Sequence, residues 1–183
     1  LKSWGFNTLG NWSSRDMMTS GRVAYVTGIH YGSPMIDDEM PDAFAPEWEE
    51  NLRTRLEKER ETTAKDPWNI GYFVDNERRW GKYARAAGVA LKTLECPPTS
   101  PAKIQFVSDL KAKYGTIAKL NESWETSHAS WDALLDSREK ISFEKPRKAN
   151  LERDCGDFGG KFAEKYFSTC RRLVKAVAPN HLY

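Results

Sequence analysis

Three short apolar runs, at residues 6–11, 22–30 and 68–74, constrain this chain more than any other feature. The second and third are rich in β-branched and aromatic residues. Turn formers bound them: Ser20 and Gly21, then Gly32, Ser33 and Pro34 around the second, Asp66 and Pro67 before the third. None alternates polar and apolar residues as a strand with one wet face would. Near-continuous apolar runs suit parallel strands covered on both faces. Helical patterns separate and follow them. Over 45–64, Pro46 sits where a first-turn proline is tolerated, and Trp48, Leu52 and Leu56 recur at i, i+4, i+8 on an otherwise charged surface. A helix over 102–114 carries Ile104, Val107, Leu110 and Tyr114. The strongest pattern, over 157–177, puts Phe158, Phe162, Tyr166, Cys170, Leu173, Val174 and Val177 on one face. Between these, 82–100 reads as a short helix or loop, 117–135 as short helical pieces holding Trp124 and Trp131, and 136–150 as a polar connection. Gly5 reads as a helix C-terminal glycine.

Strands separated by helices imply right-handed parallel crossovers. A fourth strand is due to start after Ala178, Pro179 and Asn180. A closed eight-stranded α/β barrel needs roughly 250 residues, so 183 residues with three and a half strands fit a part of such a barrel. Leu1 in place of Met and the stop at the edge of a new strand fit a fragment too. Other classes drop out. Twelve per cent aromatic residues and a net charge of +2 are wrong for a disordered chain. The near-balanced charge also argues against a dedicated nucleic-acid binder. No apolar stretch approaches the roughly 18 residues of a membrane helix. Cys96, Cys155 and Cys170 are too widely spaced for a zinc or disulfide pattern, and His128 and His181 have no partner pattern, so metal binding is not expected. A Rossmann-like domain lacks its glycine-rich phosphate loop after every strand.

Chemistry concentrates where the strands end. The first run ends at Asn11 and Trp12, the second at His30 and Tyr31, and the third at Asp75, Asn76 and Glu77, with Trp80 three residues on. In a parallel α/β barrel all such ends share one face. Aromatic faces interspersed with donors and acceptors suit a sugar. Glu77 is the candidate general acid, since partial desolvation of a carboxyl raises its pKa. Asp75 is expected to point the same way from the strand, deeper, in a structural role. Each residue also has a plainer reading: an Asn-Glu pair in a surface loop, a hydrogen-bonded histidine, tryptophans that pack.

Taken together, KSWGFNTLGNWS (2–13), YVTGIH (25–30), MPDAFAP (40–46), IGYFVDNE (70–77) and APNHLY (178–183) resemble the β-agarases of glycoside hydrolase family 50 and, more distantly, the family 42 β-galactosidases. The resemblance implies a partial (β/α)8 TIM barrel, approximately strands two to the start of five with their helices. Residues 1–183 would then be part of a single catalytic domain truncated at both ends. It implies retaining hydrolysis of β-1,4-galactosidic bonds in agarose or related galactans, without cofactor. Glu77 would be the acid/base and Asn76 the amide that meets the sugar 2-hydroxyl. Asn11, Trp12, His30 and Trp80 would line the cleft. The family's nucleophile is a Glu at the end of the seventh strand, which no position here matches. The isolated chain is therefore expected to be inactive, and with unpaired strand edges poorly soluble. A polymeric substrate implies a secreted or periplasmic location. A β-galactosidase acting on small galactosides and a non-catalytic carbohydrate-binding remnant are the competing readings.

Overall fold

The computed structural model describes residues 2–37, 40–81, 87–138 and 149–183. In chain order it contains a 3-10 turn at Lys2–Trp4, β1 (Thr8–Leu9), α1 (Arg15–Met18), β2 (Ala24–Ile29), α2 (Pro46–Glu57), β3 (Asn69–Val74), α3 (Gly88–Glu95), α4 (Pro101–Tyr114), α5 (Ile117–Trp124), α6 (Trp131–Asp136) and α7 (Ala149–Val177). It is a mixed α/β chain with a small parallel sheet and many helices. Two compact units are present. One comprises the segment ending at Gly32 with Glu49–Glu77 and Phe167–Tyr183; the other comprises Ser33–Trp48 and Arg78–Tyr166.

The first unit holds the sheet, in the order β1-β2-β3 with every pair parallel. β1 is shorter than the expected 6–11, because a turn closes at once, with Ser13 N–H donating to Gly10 O at 3.1 Å. In place of the anticipated fourth strand, the described residues show one isolated parallel bridge, Gly71 with Leu182, on the edge of β3. Leu182 N–H donates to Ile70 O, and Tyr72 N–H donates to Leu182 O, both at 3.0 Å. Gly71 permits this approach: a Cβ there would lie 2.4 Å from Leu182 O. Tyr25, Ile29 and Tyr72 are buried, but they share one face of the sheet, and Phe73 on the opposite face is 58% exposed, so the expectation of burial on both faces is met on one face only.

Behind the sheet lies a buried polar lock. Tyr72 Oη and Thr63 Oγ1 are 2.9 Å apart, Thr63 donates to Glu59 at 2.7 Å, and Arg55 donates to Glu59 at 2.6 Å. Burial alone would raise the Glu59 carboxyl, but the Thr63 and Arg55 donors outweigh it and hold the pKa below its ordinary value. Tyr25 donates to Asp66 at 2.8 Å; burial and that bond push its phenol pKa upward.

The second unit is helical around an aromatic core. Phe106 stacks on Phe158 at 4.4 Å between centroids, and Phe44 and Phe162 pack on Phe158 in turn. This cluster bears on the phase of α4, whose expected stripe holds at Val107 and Leu110 but not throughout. Ile104 is 48% exposed and Tyr114 only half-buried, while Ala102, Lys103, Phe106, Val107 and Leu110 face inward. The large ring of Phe106 decides which stripe is buried. The Lys103 ammonium is fully buried and donates to the carbonyls of Cys96, at 2.9 Å, and Ser137; burial lowers its pKa. Asp154 is the second polar anchor. Lys113, Tyr114 (2.7 Å) and the Trp124 indole (2.8 Å) all donate to it.

α7 keeps the expected apolar face, with Phe158, Phe162, Tyr166, Cys170, Leu173, Val174 and Val177 all buried. It starts at Ala149, not 157, because Leu151 and Cys155 extend the stripe by two turns. Buried area there outweighs the poor helix propensity of Gly156, Gly159 and Gly160. Trp48, Leu52 and Leu56 of α2 are likewise buried. The expected connection over 136–150 lies mostly outside the described residues, as does the start of the 82–100 segment. No helix among the described residues is long and apolar enough to cross a membrane.

Candidate active site at the sheet edge

Parallel pairing brings the three strand ends to one edge of the sheet, but staggered. Leu9 pairs with Tyr25, so β2 runs four residues past the end of β1, while Ile29 pairs with Val74. The stagger lets the segment after β1 fold across the upper part of β2. Asn11 lies over Gly28, where a Cβ would fall 1.8 Å from its Oδ1. One residue on, the Trp12 indole stacks on the His30 imidazole, with centroids 5.3 Å apart and planes 17° from parallel. Trp12 is 74% exposed and His30 is also exposed. A flat aromatic surface beside an amide therefore stands open to solvent at this edge.

The end of β3 is built differently. Asp75 is buried at 4% exposure, donates its N–H to Ile29 O at 3.0 Å, and accepts from the Tyr31 hydroxyl at 3.2 Å. The structural role anticipated for Asp75 agrees with this burial. The expectation that Asp75 and Glu77 share a strand face does not hold. β3 ends at Val74, and Asp75 (φ 63°) and Glu77 (φ 47°) both take left-handed backbone conformations. A β-strand alternation no longer applies once φ changes sign. The chain instead turns at Asp75 and presents Asn76 and Glu77 exposed. Such conformations cost of order 1–3 kcal/mol each and persist where the surroundings over-determine them.

Trp80 belongs to the second unit, where it packs edge-on against Phe162 and Tyr166 at 6.2 and 5.7 Å. Five of the six candidate residues, Asn11, Trp12, His30, Asn76 and Glu77, belong to the first unit. Sequence reading missed Gly28 and the Tyr31–Asp75 pair. A glycine inside a β-branched strand signals a close approach and could have pointed to Gly28. Nothing local marks Tyr31 as a partner for a residue 44 positions away. Among the described residues, no group of three or more His, Cys, Asp or Glu is arranged to hold a metal ion.

No family model matches the chain. It is 35% identical over 204 residues to β-agarase B of Vibrio sp. (strain JT0107), a match that takes in 100% of this chain and 20% of that protein. β-Agarase A of the same strain is 33% identical over 210 residues, with the same coverage. Over its whole length the chain resembles the β-agarases of glycoside hydrolase family 50. A solved exo-β-agarase superposes with a TM-score of 0.84 at 29% identity, over 99% of this chain and 26% of that one. The chain thus spans about a fifth of the length of the curated β-agarases it matches. The region matched is the one that contains the staggered strand ends and the Asn76–Glu77 turn.

Proposed function

We propose that this chain forms the acid/base-bearing part of a retaining β-agarase-like glycoside hydrolase that cleaves β-1,4-galactosidic bonds in agarose or a related galactan. The observation that carries the reading is the meeting of Asn11, the Trp12–His30 stack and the Asp75–Glu77 turn at one edge of a parallel sheet. The similarity to β-agarases over the whole chain supports it. The sheet then corresponds to strands two to four of a (β/α)8 barrel, with Leu182 opening the fifth, and residues 1–183 are one part of a single catalytic domain.

Glu77 is the general acid/base. In the first step it protonates the departing glycosidic oxygen; in the second it takes a proton from the attacking water. Asn76 donates to the sugar 2-hydroxyl. Asn11, Trp12 and His30 bind sugar rings, by stacking and hydrogen bonding. The nucleophile of a retaining enzyme stands about 5 Å from the acid/base; here it is a Glu from outside these 183 residues, which also completes the enclosure that the exposed Glu77 lacks. Because a polymer is met outside the cytoplasm, the enzyme acts as a secreted or periplasmic protein.

The test is Glu77→Gln in the complete enzyme. Loss of the acid/base removes about 10²–10⁴-fold of rate on a natural galactan linkage. Sugars with leaving groups that need no protonation keep their first-step rate. Full activity of Glu77→Gln on agarose oligosaccharides would end this reading. Oligosaccharide binding without turnover in the unaltered complete protein would move a carbohydrate-binding role ahead.

A further inference from the structure

We infer that Tyr31 and Asp75 are positioning residues for the acid/base, holding the turn from which Asn76 and Glu77 project; this rests on the proposed role of Glu77.

The turn has two left-handed residues within three positions, and neither is glycine. Left alone, a chain leaving a strand would relax to extended backbone, and the Glu77 carboxyl would swing away by the width of a residue. Three observations show what holds it. The ladder between β2 and β3 continues one step past Val74, through the Asp75 N–H bond to Ile29 O at 3.0 Å. The Asp75 side chain is buried, so its carboxylate needs donors inside the protein. Tyr31, two residues past the end of β2, supplies one, its hydroxyl 3.2 Å from Asp75 Oδ2. The backbone bond fixes where the turn starts, and the side-chain bond fixes its rotation. Asp75 is tied through its backbone and its side chain to Ile29 and Tyr31, the residues either side of His30, so the acid/base and the stacking platform share one reference. Buried as it is, the carboxylate works by locking the geometry of the two residues after it rather than by meeting substrate itself.

The consequence is selective. A slackened turn misplaces the proton donor, and this matters in proportion to how much protonation the leaving group needs. The experiment uses the complete enzyme with Tyr31→Phe, Glu77→Gln and the double variant. For each, kcat/KM is measured on an unactivated galactan oligosaccharide and on an aryl glycoside of the same sugar with a good leaving group. This quantity reports the first chemical step. Tyr31→Phe is expected to lower kcat/KM at least about tenfold on the oligosaccharide, leave the aryl glycoside within about twofold, and add nothing in the Glu77→Gln background. Asp75→Asn, which keeps the shape but weakens the acceptor, is expected to show the same leaving-group selectivity and guards against a folding artefact in either variant. Equal losses on both substrates, or losses that multiply with Glu77→Gln, would overturn the inference and leave Tyr31 a stability residue. Glu77→Gln with undiminished oligosaccharide activity would instead remove the acid/base role itself, and the inference with it.

Discussion

Replacing Gly28 with Ala tests whether Asn11 is held where a sugar would find it. The backbone of Gly28 is ordinary β2 strand, so the substitution brings no conformational strain of its own. What it brings is a methyl group at 1.8 Å from Asn11 Oδ1, 2.7 Å from Cγ and 3.0 Å from Nδ2. To reach the 3.4 Å of ordinary van der Waals contact, the amide oxygen must retreat by about 1.6 Å. Asn11 has only two side-chain torsions, so it rotates away and the backbone is largely spared. The cost in stability is then about 1 kcal/mol, the size of an off-rotamer side chain. On the proposed role of Asn11 the cost in function is larger, because a hydrogen bond to a sugar would be lost, of order 1 kcal/mol, and the neighbouring Trp12 disturbed. Sugar affinity should drop roughly tenfold, which corresponds to 1.4 kcal/mol.

Chemical denaturation and titration with agarose oligosaccharides read the two effects separately. The decisive comparison is the Asn11→Ala background, which removes the colliding amide. There, Gly28→Ala should cost nothing in stability and nothing further in affinity. A penalty that persists without the Asn11 side chain would refute the reasoning, since the clash would then lie with the backbone.

Two further outcomes follow from the same geometry. Gly71→Ala drives a methyl to within 2.4 Å of Leu182 O, a backbone atom that cannot rotate away. The bridge to β3 should open, with protection of the Tyr72 and Leu182 amides lost in hydrogen exchange; unchanged protection would contradict it. In the second unit, Asp154→Ala strips the buried acceptor from the Trp124 indole and Tyr114 and should destabilise by about 3 kcal/mol in denaturant titration. Most of that comes from the buried donors, because Lys113 is 48% exposed and its ion pair is weakened by solvent. Burial raises the Asp154 carboxyl, but its three donors outweigh this and leave its pKa depressed. Its stabilisation is therefore full at neutral pH and is lost as pH falls from the ordinary carboxylate range through the lower folded value. Identical acid denaturation of Asp154→Asn and the unaltered chain would show that this carboxylate contributes nothing.

The amino-acid order alone determined the elements and the chemistry they carry. Residue periodicity is a local property, so the stripes of α2 and α7 and the three apolar strands were legible in sequence, while the strand due after Asn180 is present only as the bridge of Leu182 to Gly71. Also legible were the strand-terminal groups, from Asn11 to Glu77, and the resemblance to β-agarases. The stripe of α4 was legible only in part: Val107 and Leu110 are buried, but Phe106, stacked on Phe158, is buried where Ile104 was expected, and both are apolar in sequence. The start of α7 lies two turns before the expected 157, across Gly156, where burial of Leu151 and Cys155 outweighs the glycine's poor helix propensity. Most of all, the direction of Glu77 was not legible. Strand alternation is a rule about continuous extended backbone, and the strand stops at Val74, where Asp75 takes a left-handed conformation while donating its N–H to Ile29 O and accepting from the hydroxyl of Tyr31, 44 residues away. Local sequence sets which residues arrive at the sheet edge; only long-range contacts, which no window of sequence contains, decide where they point.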